Sequence, residues 1–233
     1  MTAWAMARKV VDPVYYRFSW MDSINPDRCW LSPRTYRVVK RVLDLLVVAL
    51  LLPIVLPVLG VCAALIKLES PRDPILYIQK RTGKGGHPFR AVKFRTMVPN
   101  ADQMKGELAH LSKLQWPDFK IEDDPRTTRV GRFLRTWSLD ELPQLYNVVR
   151  GEMSLVGPRP TSFLTDQYVL WQTQRLDVAP GITGLWQIMA RAEIEFYERS
   201  RLDILYVENQ CMRLDLEILL RTIPAVLKRR GAH

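Results

Sequence analysis

Three cysteines and three histidines are all that the 233 residues contain. Cys29, Cys62 and Cys211 are too few and too scattered for a disulfide framework or a zinc site. His87, His110 and His233 make no H-x-x-x-H pair, which argues against a histidine-based metal centre. Acidic residues are also in deficit: 24 Asp and Glu face 34 Lys and Arg, giving a net charge of +10 and a pI near 9.7. That balance fits anionic lipid surfaces, phosphorylated substrates or nucleic acid. The N-terminal stretch has no apolar h-region, so no signal peptide is expected, and neither an internal repeat nor a low-complexity tract occurs. These absences describe a reduced, cytoplasm-facing protein with one sizeable domain and an appendage.

What is present in excess is one uncharged run. Residues 45–66 carry no charge, a length that would span a bilayer as a straight helix. Pro53 and Pro57 sit near its middle, and each removes a hydrogen bond and clashes with the preceding turn. Arg34, Arg37, Lys40 and Arg41 precede the run, and Lys67, Arg72, Lys80 and Arg81 follow it. Positive charge favours the cytoplasmic side at both ends. The expectation for residues 36–70 is therefore a re-entrant helix–break–helix hairpin, ahead of a single kinked transmembrane helix and of a buried soluble helix. Asp44 near its mouth requires a partner, and Lys40 one turn earlier is the obvious one. Residues 1–35 mix Trp4, Tyr15, Tyr16, Phe18, Trp20 and Trp30 with basic side chains, which suits either a membrane interface or an oligomer-contacting extension.

The remaining chain, 71–233, reads as one catalytic domain organised around residues 137–160, WSLDELPQLYNVVRGEMSLVGPRP. Leu142, Leu145, Tyr146 and Val149 recur at helical spacing and predict a helix with that face buried. Pro143 suits its first turn, which favours Asp140 as N-cap, with Glu141 either complementing the helix dipole or closing a capping box with Ser138. A second reading stays open. Arg126, Arg129, Arg132 and Arg135 precede the acidic pair and Arg159 follows between two prolines, a setting for a phosphate-bearing substrate bridged by a divalent cation.

Elsewhere, residues 75–97 predict two strands around a glycine-rich turn, with Lys93 and Arg95 on one face opposite Val92 and Phe94. No phosphate-loop spacing accompanies Gly83, Lys84, Gly85 and Gly86, so a plain hairpin turn is expected. Residues 100–120 suggest a polar helix and loop. Glu122, Asp123 and Asp124 suit a solvated turn better than a metal site. The C-terminal stretch predicts one or two helices, amphipathic and with a basic end, Lys228-Arg229-Arg230, placed on a membrane surface or against the core.

Seven ordered stretches carry a family resemblance: KRVLDLL at 40–46, VKFRTM at 92–97, DDPRTTRVGRFLR at 123–135, SLDELPQLYNV at 138–148, MSLVGPRP at 153–160, PGITGLWQ at 180–187 and LDILYVEN at 202–209. Together they resemble the bacterial sugar transferases, the monotopic polyprenyl-phosphate glycosyl-1-phosphate transferases. The resemblance implies an α+β, mainly helical catalytic domain with a small β-hairpin, anchored by a re-entrant helix at the cytoplasmic face of the bacterial inner membrane. It implies transfer of a sugar-1-phosphate from a UDP-sugar to undecaprenyl phosphate with release of UMP, opening the assembly of a surface glycan. Asp140 would be the nucleophile, Glu141 would hold Mg²⁺ on the diphosphate, and Lys93, Arg135, Arg159 and Arg191 would surround the phosphates. The GITGLWQ form resembles the branch that takes UDP-glucose or UDP-galactose. Two departures stand out: smaller relatives break the hairpin at Ser-Pro, where Leu56 precedes Pro57 here, and Ala190 replaces a common glycine. Two other function classes compete. An idle membrane scaffold is disfavoured by the intact dyad and arginines. A nucleic-acid binder leaves the uncharged run unexplained, so no nucleic-acid partner is expected. Oligomeric state stays open.

Overall fold

The computed structural model describes residues 31–112, 121, 123–189 and 195–227. The 1–30 segment, Glu122, Arg191 and the basic C-terminal end lie outside the described residues, and so does almost all of the expected N-terminal extension.

Helix α1 spans Pro33–Glu69. Ser32 caps it, its hydroxyl accepting the Thr35 N–H at 3.3 Å, and Pro33 opens its first turn. The helix runs on through Pro53 and Pro57, so two helices separated by a break are not what forms. Each proline removes one donor, while packing of both halves of α1 on the domain keeps the helical path. Tyr36, Asp44, Val48, Val55, Cys62 and Ile66 form a buried stripe along one face. Leu46, Leu50, Ile54, Leu56 and Val61 on the other faces are exposed. By length and composition α1 is long and apolar enough to cross a membrane.

Both ends of the uncharged run are fastened to the same domain. Near its start, Arg41 donates to the carbonyls of Val148 and Val149, at 2.5 and 2.8 Å. Asp44 is buried and accepts the Leu155 N–H at 3.2 Å. Lys40, the expected partner of Asp44, instead pairs with Asp215 at 2.8 Å. At the far end, both Glu69 oxygens accept the Arg129 and Val130 N–H groups, at 2.9 and 3.1 Å.

Strands β1 (Leu76–Thr82) and β2 (Pro88–Phe94) pair antiparallel as expected, joined by a turn in which Gly85 and Gly86 take φ of 63° and 78°. Of the polar helix and loop expected over 100–120, residues 113–120 lie outside the described residues, and the described part holds single 3₁₀ turns at Gln103–Lys105 and Ala109–Leu111. Helix α2 (Arg129–Thr136) starts at Thr128, whose hydroxyl accepts the Gly131 N–H, and the Glu69 bonds satisfy two more of its free donors. After Ser138, at φ 55°, a 3₁₀ turn covers Leu139–Gln144 and leads into α3, Leu145–Arg150.

The buried face of that segment is not the predicted one. Pro143, Gln144, Asn147 and Val148 are buried, whereas Tyr146 and Val149 are exposed. The 3₁₀ geometry shifts the phase, and Asn147 docks the edge of β2: its Oδ1 accepts the Val92 N–H at 3.1 Å and its Nδ2 donates to the Arg90 carbonyl at 2.7 Å. Strand β3 (Ser154–Val156) then pairs parallel with β4 (Gly181–Thr183). A side chain at Gly157 or Gly181 would collide with backbone across this contact, which is why both are glycine.

Helices α4 (Leu185–Met189), α5 (Phe196–Glu208) and α6 (Met212–Leu227) close the core around Leu155, Val156, Leu185, Leu205, Tyr206, Leu214 and Ile218. Of the two placements the sequence left open, packing on the core is what forms through Leu214 and Ile218, while Leu216, Leu220, Ile223 and Leu227 are exposed. Cys62, Ile66, Phe94 and Leu134 form a second cluster under the far half of α1. The chain is thus α+β and mainly helical with two small sheets.

Buried Asp215 ties α1 to α5 and α6, accepting from Tyr36 (2.8 Å), Lys40 (2.8 Å) and Tyr206 (2.7 Å). Replacing Asp215 with Leu leaves Lys40 without its partner. Stability is expected to fall by about 3 kcal/mol, read as a lower midpoint in thermal unfolding of the detergent-solubilised protein.

Candidate functional site

The hairpin register places Tyr77 opposite Lys93, Gln79 opposite Ala91 and Arg81 opposite Phe89, so Tyr77, Gln79, Arg81 and Lys93 share one face. That face forms one wall of a cavity of about 400 Å³. Arg135, Asp140 and Arg159 also line it, with Phe163, Trp186 and Phe196 supplying aromatic surface. The pair Lys93 and Arg95, for which a solvated face is the ordinary explanation, therefore borders the cavity.

Asp140 and Glu141 occupy the 3₁₀ turn Leu139–Gln144. Neighbouring residues on such a turn point about 120° apart, so the two carboxylates are sent to different surroundings. Glu141 accepts from Lys93 Nζ at 3.1 Å and from Arg159 Nη1 at 2.9 Å, and Arg159 Nη2 closes a second bond to it. Asp140 accepts no hydrogen bond among the described residues and faces the cavity. It is not the N-cap: Ser138 precedes the turn and its side chain makes no cap bond, so the capping box is absent too. The cause is Ser138 itself, whose left-handed backbone starts the turn two residues before Asp140.

Charge separates the two acids further. Burial, with Glu141 alongside, pushes the Asp140 carboxyl up to about 6, against Lys93, Arg135 and Arg159. Burial alone would raise Glu141 as well, but Arg159 and Lys93 outweigh it and hold its carboxyl well below the usual range. Burial pulls the Lys93 ammonium down, opposed by Glu141. One acid is locked as an anion by its cations. The other, raised to about 6, borders a cavity with positive walls.

Backbone geometry aims the cations. Arg135 sits at the end of α2, its Nε donating to Thr96 at 2.9 Å and its Nη1 to Thr127 at 3.2 Å. Helix α2 approaches Thr96 because residue 131 is glycine; a Cβ there would lie 2.1 Å from the Thr96 carbonyl oxygen. The 159–163 segment is tied to the hairpin by the Thr82 N–H to Thr161 carbonyl bond at 2.9 Å. Arg81, which sequence reasoning treated only as flanking charge, donates to the Pro160 carbonyl at 3.3 Å and lines the cavity. Burial and Arg159 draw its guanidinium down to about 10. Period-two alternation with Gln79 was the signal that could have found it.

Other candidates have structural duties. Asp124 pairs with Arg126 at 2.6 Å and accepts its N–H at 3.0 Å, which folds the 123–126 turn onto itself. Lys93, Arg135, Asp140, Glu141 and Arg159 are brought together.

The chain matches the family model described as bacterial sugar transferase over residues 35–229. It is 38% identical over 208 residues to the UDP-galactose-lipid carrier transferase of Erwinia amylovora, covering 87% of this chain and 43% of that one. It is 40% identical over 201 residues to the exopolysaccharide production protein ExoY of Sinorhizobium fredii, covering 83% and 88%. It is 42% identical over 203 residues to the UDP-glucose:undecaprenyl-phosphate glucose-1-phosphate transferase of Caulobacter vibrioides, covering 83% and 72%. The chain spans less than half of the Erwinia protein and most of the other two. With the matched region enclosing both the long apolar helix and the dyad, the chain belongs to the bacterial sugar transferase family.

Proposed function

We propose that this protein transfers a sugar-1-phosphate from a UDP-sugar to undecaprenyl phosphate at the cytoplasmic face of the inner membrane, releasing UMP. The observation that carries the reading is the split dyad: Asp140, unbonded among the described residues, faces a cavity lined by Lys93, Arg81, Arg135 and Arg159, while Glu141 is held by Lys93 and Arg159. In the first step an Asp140 oxygen forms a bond to the β-phosphorus and the bond to UMP breaks, its electron pair leaving with UMP. In the second, an oxygen of the lipid phosphate attacks the same phosphorus and the Asp140 carboxylate is regenerated. Lys93, Arg135 and Arg159 neutralise the diphosphate, and the aromatic wall offers π faces to the uracil ring.

Mg²⁺ is the cofactor this reading calls for. No group of three or more metal-ligating side chains occurs among the described residues, which fits a cation that arrives with its diphosphate and takes only one or two carboxylates from the protein. Glu141 would hold it in exchange for part of its contact with Lys93 and Arg159. Once bound, it would offset the charge that develops on the departing phosphate.

For the membrane, the fastening of both ends of the uncharged run to one domain supports a continuous α1 whose two ends stay on one side of the bilayer, over a span. A crossing helix would carry Glu69 to the face opposite Asp44, away from the domain that holds both. The donor is read as UDP-glucose or UDP-galactose, in line with the sugars in the relatives' names. The product opens an exopolysaccharide, capsule, O-antigen or glycoprotein glycan.

Purified protein in detergent with Mg²⁺, undecaprenyl phosphate and UDP-glucose or UDP-galactose is expected to release UMP. Asp140→Asn and Glu141→Gln should each lower that rate by at least about a thousandfold. Folded protein that releases UMP from no UDP-sugar would favour the scaffold reading, and an unimpaired Asp140→Asn would remove Asp140 as nucleophile.

The raised Asp140 carboxyl makes a pH prediction with a definite sign. Its ionised form is the nucleophile, so the rate should climb about tenfold per unit below pH 6 and level off above it. Because the folded state raises this group to about 6, its stabilising contribution is complete below about 3.9, its unfolded value, and is lost as pH rises through 6. Asp140→Asn should thus unfold no lower than wild type at pH 8, with any advantage gone near pH 4. Glu141 has the opposite sign, so Glu141→Gln should lose stability at neutral pH.

Topology is testable by thiol labelling. In a background with Cys29, Cys62 and Cys211 replaced, Arg34→Cys and Arg72→Cys should both resist an impermeant reagent in intact cells and react after permeabilisation. Reaction of one alone in intact cells would mean a span.

A further inference from the structure

The tripeptide Pro158-Arg159-Pro160 has a single backbone donor, the Arg159 N–H, because neither proline supplies one. It cannot join a regular ladder, so its carbonyls need partners from elsewhere. Each finds one. The Pro158 carbonyl accepts the Gly181 N–H at 2.9 Å, and the Pro160 carbonyl accepts Arg81 Nη1 at 3.3 Å. The Arg159 carbonyl accepts Arg175 Nη2 at 2.8 Å.

Arg175 is in turn paired with Asp203 of α5, at 2.5 Å. Both are buried, with 4% and 1% exposure. The Arg175 guanidinium also packs on the Phe196 ring, 5.5 Å from its centre. Burial pushes the Asp203 carboxyl up to about 6, against Arg175, Arg199 and the Arg159 backbone N–H, which favour its charge. A fully buried ion pair is a poor stability device, since an apolar pair of similar volume is often as good or better. Its product here is position. It grips the backbone of the one residue whose side chain makes a two-bond contact with Glu141.

We propose that the buried Arg175–Asp203 pair is a positioning device for Arg159, fixing its backbone so that its guanidinium meets Glu141 in the two-bond geometry. Neither residue lies near Arg159 in sequence, and α5 together with the 170–176 turn brings them there. The kinetic consequence rests on the transferase reading above; the geometric one does not.

The decisive protein is the paired variant Arg175→Met/Asp203→Leu, which removes both charges and keeps apolar bulk. Three measurements apply: thermal unfolding, ¹⁵N-arginine NMR of the Arg159 guanidinium assigned through Arg159→Lys, and UMP release. The paired variant is expected to stay folded and to lose the slowly exchanging Arg159 Nη signals. Its kcat should fall about a hundredfold, with a smaller change in KM for the UDP-sugar. Adding Arg159→Ala to it should cost little more, because the same contact is already lost. A folded paired variant with unchanged Arg159 signals, or with losses that multiply with those of Arg159→Ala, would overturn the proposal. Should the pair fail to fold, Asp203→Asn is read by the same criteria, as Asn keeps an acceptor while releasing the charge on Arg175. If wild type itself releases no UMP, the transferase reading fails, and the NMR result still decides the positioning role.

Discussion

The contact between Arg159 and Glu141 is the constraint on which the site depends. It joins the 159–163 segment to the 3₁₀ turn of the dyad, and Lys93 adds the hairpin to the same carboxylate. Three elements far apart in sequence thereby converge on one anion. The contact has an electrostatic consequence as well as a geometric one. Glu141 absorbs the nearest positive charge, which leaves Asp140 to feel burial and its neighbour's anion, and so to sit near 6 instead of far below. A lone carboxylate among four cations would be paired and inert. Two adjacent carboxylates on a 3₁₀ turn let one be neutralised and the other remain available.

Much of this was legible in the sequence, and the parts that were not share a cause. The hairpin could be read because period-two alternation and a glycine turn are local signals. The dyad and its cations could be read because ordered motifs identify them as a set. The cap assignment failed at one residue: Ser138 adopts a left-handed backbone at φ 55°, a state that propensity does not anticipate for serine. That choice replaced an α-helical start by a 3₁₀ turn and moved the buried face from Tyr146 and Val149 to Gln144 and Asn147. Pairing of β3 with β4 was invisible, since three-residue strands carry no period. The partner of Lys40 was equally out of reach, because Asp215 lies 175 residues away and a local rule can offer only Asp44.

Helix α1 shows how a local rule can be right about a cause and wrong about its result. Two prolines four residues apart do remove two helical bonds, yet the helix persists because its stripe from Tyr36 to Ile66 is packed on the domain along its length. The exposed leucines of its other faces, together with the outer leucines of α6, are then the surfaces that water disfavours. One helix therefore carries both the packed stripe and the exposed apolar surface, each on its own side.

This arrangement also couples the apolar helix to the cavity. The second cluster, Cys62 and Ile66 against Phe94 and Leu134, places the far half of α1 on the end of β2 that carries Lys93 one residue before Phe94, and on helix α2, whose last turn carries Arg135. The residues that contact the apolar helix are thus sequence neighbours of those that border the cavity. Glu69 reinforces the link by capping α2. Movement of the helix relative to the domain would strain both the neighbours of Lys93 and Arg135 and, through Asp215, the core around Tyr206. On the transferase reading proposed above, rigid coupling of that kind is what a reaction between a soluble nucleotide and a membrane-held phosphate would require, because the height of the cavity above the bilayer would then follow from helix packing and need no separate control.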